Sequence, residues 1–142
     1  MQVRDLMSTD VVTVPRSATL GDVADRLLDA EVGSVIVVDD DGDPVGIVTE
    51  ADALGVARER GQPLADIAVS EVGHSPVVTT TPSTAIPTVA RRMADEGVKK
   101  VPVIDGLDLV GIVTLTDIVW HLSSLRQEVS DIAAARDEWS PN

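Results

Sequence analysis

Several residue types that commonly build protein cores and active sites are absent from this chain. Its 142 residues include no cysteine, tyrosine or phenylalanine, and two tryptophans are its only aromatic residues. Without cysteine, the chain forms no disulfide and performs no thiol chemistry. Hydrophobic residues still make up 44% of the chain, which is too high for intrinsic disorder. The sequence therefore predicts a folded protein with an aliphatic core.

Basic residues are also scarce. Eleven lysines and arginines stand against 24 acidic residues, so the net charge is −13 and the pI is about 4.2. Such a chain repels a phosphate backbone, and we expect no nucleic-acid polymer as a partner. The acidic, lysine-poor composition also suits a halophilic-like protein that stays hydrated in high salt. Only two residues are lysines, and they are adjacent, Lys99 and Lys100.

Long apolar runs are missing too. The N-terminus lacks the hydrophobic stretch of a signal peptide, and the longest uncharged run, Val72 to Ala90, is interrupted by prolines. No segment has the uninterrupted apolar length of a transmembrane helix. We therefore expect a cytoplasmic protein with no membrane partner.

The chain contains an internal repeat. The segment Val45-Gly46-Ile47-Val48-Thr49 recurs at Val110 to Thr114, and residues 32–39 match residues 98–105. We interpret residues 1–66 and 67–125 as two copies of one unit, followed by a C-terminal helical tail, residues 126–142. Two copies are too few for a solenoid, so they should pack face to face as a pseudo-symmetric pair.

Each copy shows the pattern strand, helix, strand, strand, helix, which places the chain in the α/β (α+β) class. The first helix of repeat one should begin after Thr19, with Asp22 as the acid of a capping box. Residues 39–43 should form a tight hairpin connection. The predicted strands are Val11–Val14, Val35–Val38 and Val45–Val48 in repeat one, and Val77–Thr80, Val101–Ile104 and Leu109–Val113 in repeat two.

The most informative motif is Gly-x-x-Thr-x-x-Asp, present as Gly46 to Asp52 and as Gly111 to Asp117. It places a hydroxyl and a carboxylate at the first turn of a helix, where free N–H groups favour an anion such as phosphate. The threonine could donate to a phosphate and the aspartate could accept from ribose hydroxyls. An equally physical alternative is that Thr and Asp only cap the helix. Recurrence in both copies favours a ligand.

Together with the segment Met7 to Pro15, these motifs resemble the tandem CBS domain, named for cystathionine β-synthase, over about residues 3–125. The resemblance implies two β-α-β-β-α repeats that pack through their sheets and leave two clefts. Such clefts bind AMP, ADP or ATP, and in some members S-adenosylmethionine or NAD, with no required cofactor. It further implies a regulatory sensor without catalytic residues, a homodimer, and a protein effector. An alternative is a ligand-free interaction scaffold that uses the tail.

The resemblance also implies the site residues. In the family each cleft takes its Thr and Asp from one repeat and its adenine contacts largely from the other. One cleft would comprise Ile112, Thr114 and Asp117 with Val12, Val32 and Gly33, and the other Ile47, Thr49 and Asp52 with Val78 and Val98. These valines could instead be ordinary core residues.

The lysine pair occupies a position where adenylate-sensing relatives carry basic residues that reach the phosphates. Repeat one has Gly33-Ser34 in the place of Lys99-Lys100, so we expect two unequal sites. The alternative is an exposed charged loop, which is the usual location of lysine. His74 and His121 lack ligand-spaced partners, and no metal site is predicted. Trp139 in the tail could pack on the module or on a partner.

Overall fold

The computed structural model describes residues 1–72 and 77–122. The predictions for His74, Trp139 and the tail therefore lie outside the described residues. The chain is a mixed α/β protein with two similar repeats, as the repeat pattern predicts. Its elements in order are α1 (Val3–Leu6), β1 (Thr13–Pro15), α2 (Leu20–Ala30), β2 (Ser34–Val38), β3 (Pro44–Thr49), α3 (Glu50–Arg60), two 3-10 turns (Leu64–Asp66 and Val69–Glu71), α4 (Ile86–Glu96), β4 (Lys100–Asp105) and β5 (Asp108–Thr114), followed by α5, which begins at residue 115 and is described to residue 122.

Each repeat has its own small sheet. In repeat one β1 runs parallel to β2, and β2 pairs antiparallel with β3. In repeat two β4 pairs antiparallel with β5. The registers correspond, because Ser34 lies opposite Thr49 in one sheet and Lys100 lies opposite Thr114 in the other. The two threonine motifs therefore leave their sheets at equivalent points.

The leading strands differ from prediction. In repeat one the strand is Thr13–Pro15 instead of Val11–Val14, and in repeat two only Thr80 forms a bridge, to Val103. The reason for the shorter pairing in repeat two lies in β4. The Ile36 N–H donates to the Val12 carbonyl at 2.9 Å in repeat one, whereas the equivalent residue in repeat two is Pro102, which has no N–H.

Local sequence accounts for the helices. Thr19 caps α2 through a capping box with Asp22, and the helix buries Leu20, Val23 and Leu27. Helix α4 has no side-chain cap, but a proline stands in its first turn, where a missing N–H costs no intrahelical bond. Within residues 1–72 and 77–122, no helix combines the length and the apolar character needed to span a bilayer.

The two cores interlock across the chain. Val3 and Leu6 of α1 pack into the core of repeat two, and Ile67 and Val69 pack into the core of repeat one. Equivalent hydrogen bonds anchor both segments, from Val3 N–H to the Thr84 carbonyl and from Val69 N–H to the Ala18 carbonyl, each 2.9 Å long. Packing thus crosses the predicted boundary between residues 66 and 67. The position of that boundary stays a sequence-based prediction. Neither half keeps its full core without the other.

The hairpin of repeat one closes through residues 39–43. The Asp39 carboxylate accepts from the backbone N–H groups of Asp41 and Asp43 at 3.0 and 2.9 Å, which shapes the turn. Carboxylate oxygens of these three residues all lie within 4.8 Å of one another at the surface.

Candidate ligand-binding clefts

Both Thr-x-x-Asp motifs join the end of a strand to the start of a helix. Thr49 N–H donates to Asp52 Oδ2 at 2.9 Å, and Asp52 N–H donates to Thr49 Oγ1 at 3.2 Å. The same pair of bonds joins Thr114 and Asp117, at 3.2 and 3.1 Å. The helix cap considered as one alternative is therefore present in both repeats. Each motif is half-buried, whereas Asp22 of the α2 capping box is exposed.

A cleft of about 830 Å³ lies between the repeats beside the first motif. This volume falls within the range of small-molecule sites, roughly 300–1,000 Å³. The larger cleft brings together all five residues expected for this site and also both lysines. Its sequence-predicted lining residues are Ile47, Thr49 and Asp52 from repeat one, and Val78, Val98, Lys99 and Lys100 from repeat two.

A second cleft, of about 200 Å³, lies beside the second motif. It also contains every residue expected for it, again drawn from both repeats. These are Ile112, Thr114 and Asp117 from repeat two, and Val12, Val32 and Gly33 from repeat one. The smaller cleft is below the usual range of ligand sites and would have to widen around a nucleotide.

The two lysines differ in position. Lys99 lines the larger cleft only, whereas Lys100 lines both. The Lys100 Nζ lies 3.3 Å from the point that a Cβ at residue 33 would occupy, and Glu50 Oε1 lies 3.8 Å from the same point. In the part of the chain that the structure describes, the one salt bridge within 4.0 Å joins Arg60 and Glu71 at 3.3 Å. The lysine ammonium groups are therefore available to an anion.

Several charged residues of the linings are not identified by the motifs. Glu50 and Glu96 line the larger cleft, and Asp10 lines the smaller one. All three stand in or beside the motifs: Glu50 follows Thr49, Glu96 precedes the segment Gly97-Val98, and Asp10 lies two residues before Val12. Their position in or next to a motif is the sequence signal by which these charged residues could have been predicted. Among the described residues, the lining of the larger cleft thus contains three carboxylates and two lysines, and that of the smaller cleft contains two carboxylates and one lysine.

Comparisons with known proteins agree with this architecture. The family model for the CBS domain matches residues 3–59 and residues 69–124. The CBS domain-containing protein YhcV of Bacillus subtilis is 30% identical over 116 residues, which cover 82% of this chain and 81% of that protein. A solved structure, the CBS domain pair of protein MJ0100 in complex with 5′-methylthioadenosine and S-adenosyl-L-methionine, is 26% identical with a TM-score of 0.77, covering 87% of this chain and 97% of the other.

The chain is shorter than several relatives. The uncharacterised protein MJ1404 of Methanocaldococcus jannaschii is 29% identical over 138 residues, which cover 89% of this chain and 33% of that protein. Two further archaeal relatives are covered over 61% and 43% of their lengths.

Proposed function

Since the chain belongs to the CBS-domain family, we propose that it is a regulatory module that binds an adenosine-containing ligand between its repeats. The observation that carries this proposal is the larger cleft, which combines Thr49 and Asp52 of repeat one with Val78 and Val98 of repeat two. A ligand held there contacts both repeats at once, so its binding energy depends on their relative arrangement.

Capping and ligand binding use different parts of the same side chains. In the cap the threonine hydroxyl accepts a hydrogen bond and keeps its own hydrogen for donation to a phosphate. The cap occupies Oδ2 of Asp117, and Oδ1 remains to accept from a ribose hydroxyl. The geometry of Thr114 and Asp117 therefore serves both roles.

The cleft chemistry favours an adenosine compound. With almost no aromatic residues in the chain, the base would be held by aliphatic side chains such as Ile47 and Val98. Lys99 and Lys100 supply compact positive charges for phosphates, which supports AMP, ADP or ATP. The carboxylates of Glu50 and Glu96 also suit a ligand with less negative charge, which keeps S-adenosylmethionine and NAD as candidates. The CBS domain pair of protein MJ0100, in complex with 5′-methylthioadenosine and S-adenosyl-L-methionine, provides precedent, among these candidates, only for S-adenosylmethionine.

We propose a regulatory role without catalysis. A ligand shifts a protein between two states only by the difference in its affinity for them. A nucleotide that bridges the repeats stabilises the closed arrangement by about 2.7 kcal/mol when present at 100 times its dissociation constant. The coupled response would be a change of shape or association that a protein effector reads.

Surface apolar residues favour association into a homodimer. Leu54 on α3 is 72% exposed, and its counterpart on α5, Val119, is 53% exposed. Trp120 and Leu122 extend this apolar surface on α5. Leu54 and Val119 occupy equivalent places in the two repeats, and exposed apolar residues of this kind suit a contact between two copies of the chain. The same surface supports the second candidate function, an interaction scaffold whose clefts stay empty.

A thermal-shift screen tests the proposed function. The protein is heated with AMP, ADP, ATP, S-adenosylmethionine, 5′-methylthioadenosine and NAD, each at low and at molar salt. We expect at least one compound to raise the melting temperature, on the order of 5–10 °C at saturation. No shift with any compound would leave the scaffold as the better account.

A further inference from the structure

Among the described residues, two line both clefts, Gly33 and Lys100. Every other described lining residue belongs to one cleft only. Because Gly33 has no side chain, the Lys100 ammonium can lie close to its backbone. A Cβ built on Gly33 would lie 3.3 Å from Lys100 Nζ. This ammonium therefore stands in the wall that separates the two clefts.

The backbone explains why one lysine reaches both motifs. Lys100 is the register partner of Thr114, so its main chain starts beside the motif of the smaller cleft. The Gly33 carbonyl accepts from the Glu50 N–H at 3.1 Å, so Gly33 lies beside the motif of the larger cleft. The side chain of Lys100 extends from the motif of the smaller cleft, beside Thr114, to Gly33 beside the motif of the larger cleft.

The charges of the two clefts depend unequally on this ammonium. The larger cleft has a second cation, Lys99, against the carboxylates of its lining. In the smaller cleft Lys100 is the sole cation of the described lining, which also contains Asp10 and Asp117. If a phosphate in the larger cleft takes the ammonium, the smaller cleft presents two uncompensated carboxylates to any second ligand.

We propose that Lys100 is a shared phosphate partner that makes the two clefts antagonistic toward phosphorylated ligands. Binding of a nucleotide phosphate in one cleft withdraws the ammonium from the other, which then disfavours a second phosphate and keeps its affinity for an uncharged nucleoside. This inference rests on the proposed function, since it requires that the clefts bind adenosine compounds.

Single-cleft variants separate the two sites. Asp117→Ala leaves the larger cleft as the binding site, and Asp52→Ala leaves the smaller one. ADP and adenosine are titrated into each by calorimetry, alone and combined with Lys100→Met, which removes the charge and keeps a long unbranched side chain. We expect Lys100→Met to weaken ADP roughly tenfold in both backgrounds and adenosine less than twofold. The adjacent matched control, Lys99→Met, should weaken ADP only when the larger cleft is the remaining site.

The antagonism is measured in the wild-type chain. With ADP in the larger cleft, amide resonances of the smaller cleft should report an ADP affinity at least about fivefold weaker than in Asp52→Ala, and Lys100→Met should bring this ratio close to one. The inference would be overturned, with the proposed function still standing, by any of three results. The affinity difference could persist in Lys100→Met, the effect of Lys100→Met on ADP binding could be confined to one cleft, or the smaller cleft could fail to bind ADP at all. Absence of adenosine-compound binding to the wild type would overturn both.

Discussion

Replacing Asp52 by alanine separates ligand binding from helix capping, because a matched capping box exists elsewhere in the chain. Asp52 accepts from the Thr49 N–H and Asp22 accepts from the Thr19 N–H, both at 2.9 Å. Asp52 lines the larger cleft, whereas Asp22 lines neither. Asp22→Ala is therefore the control for the loss of the carboxylate's capping-box hydrogen bond alone.

The expected magnitudes differ between the two variants. Each substitution leaves the threonine cap in place and removes the hydrogen bond from the threonine N–H to the carboxylate. Loss of one hydrogen bond costs about 1 kcal/mol of unfolding free energy, so both variants should melt about 3–5 °C below the wild type. Asp52→Ala also removes a charged acceptor for two ribose hydroxyls, which are worth at least about 1.5 kcal/mol each. We expect its affinity for the best ligand of the thermal-shift screen to fall roughly hundredfold. Asp22→Ala should bind that ligand with wild-type affinity.

Calorimetric titration at a temperature where both variants are folded measures the affinities, and circular dichroism melting measures the stabilities. Asp52 has no role in binding if Asp52→Ala loses stability like Asp22→Ala and yet binds the ligand as tightly as the wild type. In that case the motif would be a cap and nothing more.

Three further predictions concern packing, charge and association. Gly111→Ala should lower the unfolding free energy in urea by about 1–3 kcal/mol, because its Cβ would lie 2.8 Å from the Ser8 carbonyl oxygen. Gly33→Ala, whose Cβ would meet only the ends of the flexible Lys100 and Glu50 side chains, should change it by less than about 0.5 kcal/mol. Equal losses in the two variants would contradict this expectation. Raising NaCl from 0.1 to 1 M should raise the melting temperature, because the net charge of −13 is screened as the Debye length falls from about 10 to about 3 Å; an unchanged melting temperature would argue against a halophilic-like surface. Leu54→Glu should convert the dimer to a monomer in a sedimentation experiment. An unchanged sedimentation coefficient would show that Leu54 is not part of a dimer contact.

The aliphatic repeats allowed much of the fold to be predicted. The β hairpins and the capped helices follow from local patterns, such as the continuous apolar run Val35–Val38 and the Thr19–Asp22 capping box. The shortened leading strand of repeat two was not predicted, because it depends on a missing N–H in a neighbouring strand, at Pro102. Strand pairing is a tertiary property that a segment read alone does not contain.

The site shows the same division. The motif residues Thr49 and Asp52 could be identified from their repetition. The packing of α1 into the core of repeat two, and of Ile67 and Val69 into the core of repeat one, could not be predicted. The position of Lys100 in the wall between the clefts was equally beyond a linear pattern. It depends on the reach of one side chain past Gly33 after the repeats have packed.

The central proposal is that an adenosine compound occupies the cleft beside the first motif. Its most direct test is an amide ¹H–¹⁵N titration of the wild-type chain with the best ligand of the screen. We expect saturable shifts at Thr49, Gly97 and Val98, which line the larger cleft, and none at the capping box of Thr19 and Asp22. Saturable shifts confined to residues outside both clefts, or no shifts at saturating ligand, would contradict the proposed site.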